Sequence, residues 1–227
     1  MRRLAATVRT DVLVQMRNGF YLAAAVVVAC SILLLRWLPA ATAALLLPVV
    51  LLENVLVNTF YFVGALLLLE RGEGTFAAQS VTPLRAGEYL ASKLLTLTAL
   101  SLVESLAIAV AVGGLDARLV AMAVGIALAA TLFCLAGVAL VVRYAAINEF
   151  IMPSTLYAAL LTLPVLGAFG IGAPEQYLAH PLQGPLELMR GAPPTLGRWA
   201  YAVGYPLLWV PPLALWSHRA LAGVRSR

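Results

Sequence analysis

The sequence predicts an all-α membrane protein of six transmembrane helices. An N-terminal amphipathic helix lies in the membrane interface, and a short re-entrant or surface helical segment precedes the last span. Three observations carry this. Hydrophobic residues make up 63% of the chain and charged residues 11%, against roughly half and a quarter in a soluble domain. Several runs reach the about 20 apolar residues needed to cross a bilayer. The basic residues gather on one side of a six-span layout.

Taken in order, residues 1–18 read as the interfacial helix. Leu4, Val8, Val12 and Met16 form an i, i+4 stripe, while Arg2, Arg3, Thr10 and Arg17 lie away from it. Such a helix rests among anionic headgroups. The plainer reading is a frayed basic tail that only sets topology. There is no cleavable signal pattern, because the first apolar run is long enough to stay in the membrane. The first span covers about 19–38, anchored by Arg36 and Trp37, and Pro39 makes the turn. The second covers about 41–69, long enough to tilt or to extend past the lipid. The third covers about 89–112, and Gly113, Gly114 and Asp116 make the next turn. The fourth runs about 117–142, the fifth about 150–171, and the sixth about 199–216, kinked by Pro206 and Pro211-Pro212. Residues 172–198 hold too many prolines and charges to span. No internal repeat or low-complexity linker divides the chain, so residues 1–227 read as one domain.

Eleven of the fifteen cationic residues fall on one side: Arg2, Arg3, Arg9, Arg17, Arg71, Arg85, Lys93, Arg143, Arg219, Arg225 and Arg227. The positive-inside rule makes that side cytoplasmic. Both termini and the central loop are then inside, and residues 172–198 outside. The net charge of +5 reflects this asymmetry and gives no nucleic-acid signature. Fourteen arginines to one lysine point to a GC-rich bacterial source, hence a bacterial plasma membrane. Cys30 and Cys134 lie inside apolar runs and read as small hydrophobes. His180 and His218 are isolated, with no metal-ligand spacing.

The densest polar stretch is the loop between the second and third spans, residues 70–88. Gly72 and Gly74 let the backbone turn sharply after the membrane exit. Thr75 can cap a short helix from Phe76 to Val81. Pro83 pushes Thr82 into an extended conformation, and the pair then opens the next helix. Phe76 and Val81 would be apolar residues exposed on a watery loop, which marks a partner surface. The alternative is a solvated turn whose Phe76 packs back on its own helices.

Glu70-Arg71-Gly72-Glu73-Gly74-Thr75, then Val81-Thr82-Pro83-Leu84 and Lys93, resembles the cytoplasmic loop of ABC-2-type transporter permeases. That family carries an E-x-x-x-G-T run and a T-P-L turn between its second and third helices. The segment 181–190, from Pro181-Leu-Gln-Gly to Arg190, is similar to the family's stretch before the last span, a short helix dipping into the outer face. The short chain, basic start and E-R-G-E-G-T-F run resemble most the small fluoroquinolone- and drug-export permeases. The resemblance implies that Glu70, Arg71, Glu73, Gly74, Thr75, Phe76, Val81, Thr82, Pro83 and Leu84 couple to a separate ABC ATPase. It implies two ATPase subunits holding ATP and Mg, and a second permease, identical or homologous. It also implies that the N-terminal helix touches the ATPase.

The chain itself has no G-x-x-x-x-G-K-[ST] phosphate loop, so neither ATP hydrolysis nor any bound cofactor is expected in it. No H-E-x-x-H or G-x-S-x-G pattern marks a span as an enzyme site. The remaining chemistry is polar groups inside apolar helices. Glu53, Asn54, Asn58 and Tyr61 lie on roughly one broad side of the second span, and Glu104 lies in the third with Ser101 and Ser105. Both acids fall roughly 25 Å from the cytoplasmic mouth at about 1.5 Å per residue. A carboxylate facing lipid is costly, so both should face protein or a water-filled route. They read either as a substrate route for a cationic or zwitterionic amphiphile, or as acids hydrogen-bonded between helices. The resemblance implies export of a small amphipathic drug-like molecule. Alternatives are export of a peptide, lipid or glycan, a proton-coupled secondary transporter using Glu53 or Glu104, and a membrane anchor or immunity-type protein.

Overall fold

The computed structural model describes residues 2–74, 85–191 and 195–225. Among them every regular element is a helix. In order these are α1 (Arg2–Arg17), α2 (Phe20–Trp37), α3 (Ala40–Gly72), α4 (Ala86–Gly113) and α5 (Arg118–Val141). They are followed by α6 (Ile147–Leu161), α7 (Pro164–Ala168), a 3-10 turn (Pro174–Tyr177), α8 (Gln183–Met189) and α9 (Leu196–Arg225). Four of them, α2 to α5, are long and apolar enough to cross a membrane.

The chain is organised on α5, whose most apolar window is 72% buried, against 11% for α2 at the periphery. Helices α3, α4, α8 and α9 all pack on α5. Small residues allow this close approach, as expected where helices meet in lipid. A Cβ on Gly137 would lie 2.7 Å from Val63 Cγ1 and 3.1 Å from the Phe60 carbonyl oxygen, so only glycine fits there. At that crossing α3 opens into a π turn, Val57–Tyr61. Ser217 fastens α9 to the core by donating to the Leu135 carbonyl at 2.7 Å.

The sequence places one span over 150–171, but the helix stops at Leu161 and restarts at Pro164. Pro164 has no N–H to give the carbonyl of Leu160, four residues back. His180 Nε2 lies 3.2 Å from that oxygen and meets it instead. The segment before the last span also contains a helix, α8, and it is buried rather than superficial: Gln183, Leu186, Leu188 and Met189 are all enclosed. Gly125 of α5 admits it, since a Cβ there would sit 2.7 Å from the Pro185 carbonyl.

The N-terminal helix differs from its expected orientation. Leu4, Val8 and Val12 are half-buried and Met16 is 62% exposed, while Asp11 and Gln15 face inward at 5% and 0% exposure. Gly19, at φ 75°, turns α1 into α2.

Candidate functional site: a polar seam along α3 and α4

Helices α3 and α4 run antiparallel, and polar side chains recur along their contact. At the loop end, Lys93 of α4 is fully buried, with Nζ 2.7 Å from Asp11 Oδ1 and bonded also to Glu70 Oε1. The remaining carboxylate oxygens are satisfied too. Tyr89 donates its hydroxyl to Glu70 Oε2 and Ser92 donates to Asp11 Oδ2, each at 2.5 Å. One turn further in, Gln15 Nε2 donates to Thr96 Oγ1 at 3.0 Å. Two carboxylates around one ammonium in a dry site hold together only when their other lone pairs are bonded. Here they are. The triad therefore joins α1, the end of α3 and the start of α4.

This places Glu70 inside the bundle rather than on a loop. It lies within α3, 6% exposed, because Lys93 needs a counter-charge at that depth. Arg71, next to it, donates Nη1 to the Tyr144 carbonyl at 2.7 Å and the Val142 carbonyl at 3.4 Å. Both residues fasten the stem of the loop to its own helices. The connection is correspondingly shorter than 70–88, since α3 ends at Gly72 and α4 begins at Ala86. On its far side the Arg85 N–H donates to Glu88 Oε2 at 3.0 Å, capping α4. Glu73 and Gly74 are exposed, Gly74 at φ 70°. Thr75, Phe76, Val81, Thr82, Pro83 and Leu84, with the short helix expected from Phe76 to Val81, lie outside the described residues.

Deeper in the seam, Asn54 Nδ2 donates to Ser105 Oγ at 3.0 Å and Asn58 Nδ2 donates to Glu104 Oε2 at 2.5 Å. All four are buried. Asn54 Oδ1, Asn58 Oδ1 and Ser101 Oγ are buried without a hydrogen-bond partner among the described residues. Unmet polar capacity of this kind is uncommon in a buried bundle.

The intramembrane polar residues separate into two sets. Asn54, Asn58 and Glu104 close on one another between α3 and α4. Glu53 is exposed on the outer face of α3, away from α4. The turn of the helix explains this: Asn54 and Asn58, four apart, hold the α4-facing side, and Glu53 is rotated about 100° from Asn54. Tyr61 opens onto a cavity of about 480 Å³, lined also by Phe20, Phe62, Phe150, Ser154 and Thr155. Phe20 and Phe62 meet edge to face, ring centres 4.8 Å apart.

A match to the fluoroquinolones export permease protein family covers residues 2–223. The chain belongs to that family. It is 33% identical over 213 residues to the fluoroquinolones export permease proteins of two Mycobacterium tuberculosis strains, CDC 1551 and H37Rv. The alignment covers 92% of this chain and 90% of each relative. No solved structure matches. The membrane permease expected from the loop motif is thus shown at the level of the family, and the seam of α3 and α4 is part of such a permease.

The sequence reading missed the triad. Asp11 sits beside Arg9 and Thr10, where it looks like the wet side of an amphipathic helix. The available signal was Lys93: a lone lysine inside an apolar run needs a buried counter-ion.

Proposed function

We propose that this chain is the membrane subunit of an ATP-driven exporter of small amphipathic, drug-like molecules, with ATP and Mg held by a separate pair of ATPase subunits. The observation that carries the reading is the family match over nearly the whole chain, to relatives named for fluoroquinolone export. A planar aromatic zwitterion suits the cavity beside Tyr61. Aromatic rings supply its apolar walls, and Ser154 and Thr155 supply hydroxyls. Its volume of about 480 Å³ is typical of small-molecule sites. Glu53, on the same helix as Tyr61, offers a carboxylate to a cationic group.

The force-bearing part is the connection from Glu73 to Arg85. Its stems cannot move independently, because the triad ties α3 to α4 and Arg71 ties α3 to the end of α5. A partner pressing on the loop would therefore shift the seam and α1 together. Two permeases, identical or homologous, would enclose the route between them. In the bacterial plasma membrane the four apolar helices, with α6–α7 and α9, complete six spans. Helix α1 sets Arg3, Arg9 and Arg17 among headgroups, and both termini are cytoplasmic.

Proteoliposomes holding the permease and its ATPase test the transport reading. ATP-dependent movement of a fluorescent quinolone is expected. Movement driven by a pH gradient without the ATPase would replace it with a proton-coupled carrier using Glu53 or Glu104. Topology is tested by a cysteine at Glu175, which is exposed, in a Cys30→Ser background. Labelling from outside intact cells is expected, and labelling only after permeabilisation would reverse the assignment.

A further inference from the structure

At the end of the bundle opposite the α3–α4 loop is a second cavity, about 370 Å³, that the export reading does not use. It forms where the last turn of α2, the first turns of α3, the end of α4, the start of α5 and the end of α8 converge. Arg36, Arg118 and Arg190 line it. Among the described residues few cationic side chains fall at this end, and three of them meet here.

Among the described residues Arg36 and Arg190 have no carboxylate partner, and Arg118 has only Asp116, 3.3 Å from its Nε and 53% exposed. Helix-end electrostatics explains two of the three. Arg36 is in the last turn of α2 and Arg190 follows α8, each beside the negative end of a helix dipole. Arg118 is the first residue of α5, beside the positive end, where a cation is disfavoured and an anion welcome. Among the described residues only Asp116 offsets the positive charge of the three arginines that line the cavity. The floor of the cavity is apolar, with Leu47, Met122 and Met189. Trp37, next to Arg36 and 88% exposed, marks the level of the membrane interface.

We propose that this cavity binds an anionic phosphate group. Guanidinium forks match phosphate oxygens in pairs, and the apolar floor takes the hydrocarbon attached to them. Two sources carry this chemistry: the headgroup of an acidic phospholipid, and free phosphate.

The test uses the purified full chain in neutral detergent. Binding of short-chain phosphatidylglycerol, short-chain phosphatidylcholine and inorganic phosphate is read from titrated shifts in Tm. Phosphatidylglycerol is expected to bind at least about tenfold more tightly than phosphatidylcholine, whose phosphate is paired with its own choline ammonium, a cation that the three arginines repel. In the Arg36→Gln/Arg190→Gln variant that preference should fall to within about twofold. Arg198→Gln, which removes another arginine of this end but none from the cavity, should leave it unchanged. Both cavity arginines are exposed, so the unliganded Tm should hold. If inorganic phosphate matches phosphatidylglycerol and the double variant loses both, the site stands and its source is the free ion. A preference for phosphatidylglycerol that survives the double variant, or no preference in the unaltered chain, overturns the proposal.

Discussion

Lys93 Nζ lies 2.7 Å from Asp11 Oδ1, across 82 residues of chain, and the contact is closed from water. Removing the lysine strands two buried carboxylates, whereas removing either acid leaves the lysine one partner. Lys93→Met should therefore be the most damaging single change here, costing about 3–5 kcal/mol. Asp11→Asn should cost less. The combination Lys93→Met, Asp11→Asn and Glu70→Gln should recover much of the loss. Detergent-solubilised Tm values of the four proteins check the order, and equal Tm for Lys93→Met and Asp11→Asn would contradict it.

The loop can be separated from its stems. Phe76, outside the described residues, is expected to seat in the ATPase, where a buried apolar anchor contributes about 2 kcal/mol or more. Phe76→Ala should weaken co-purification with the ATPase more than about tenfold without lowering the permease's own Tm. Glu73→Lys should slow association chiefly at low salt. Normal binding by both variants would leave the loop a connector.

Glu53 and Glu104 should behave differently, although both are acids at similar depth. Glu104 accepts from Asn58 inside the seam, so Glu104→Gln should alter packing and lower the yield of folded protein. Glu53 is exposed and has no such role. Glu53→Gln should keep the yield and shift the relative export of cationic and neutral substrates. Transport per molecule unchanged across both kinds of substrate would remove Glu53 from the route.

His180 makes stability depend on pH. Its Nδ1 accepts from the Leu182 N–H at 3.2 Å, leaving Nε2 to donate to the Leu160 carbonyl. Burial holds its pKa below the usual histidine value, partly countered by the Leu160 bond. The unfolded chain thus takes up a proton before the folded one does. The stabilising contribution is complete above about pH 6.5 and falls as acidification proceeds toward the lowered folded value. Tm followed downward from pH 7.5 should drop faster in the unaltered chain than in His180→Gln. Parallel curves would refute this.

How much of this was legible follows from distance along the chain. Helices α2 to α5 fall close to their apolar runs, because twenty consecutive apolar residues leave little choice in a bilayer. The family was readable from Glu70 to Lys93, a compact local motif. Contacts between distant segments were not. Nothing near Asp11 announces Lys93, and nothing near Leu160 announces that His180 will meet its carbonyl. The outward turn of Glu53 was readable in principle, since Asn54 and Asn58 repeat every four residues and Glu53 does not.

The π turn at Val57–Tyr61 has a consequence for how this helix tolerates change in length. A π turn holds one residue more than the α-helix around it. Removing one residue elsewhere in α3 ahead of Glu70 would rotate everything beyond it by about 100°, turning Glu70 away from Lys93. Removing one within Val57–Tyr61 would let the helix close into regular α geometry while Leu66, Glu70 and Arg71 keep their bearings. The wide turn is thus a slack loop in an otherwise taut cable, the one stretch of α3 where a codon can be lost without twisting the end that holds Glu70 against Lys93.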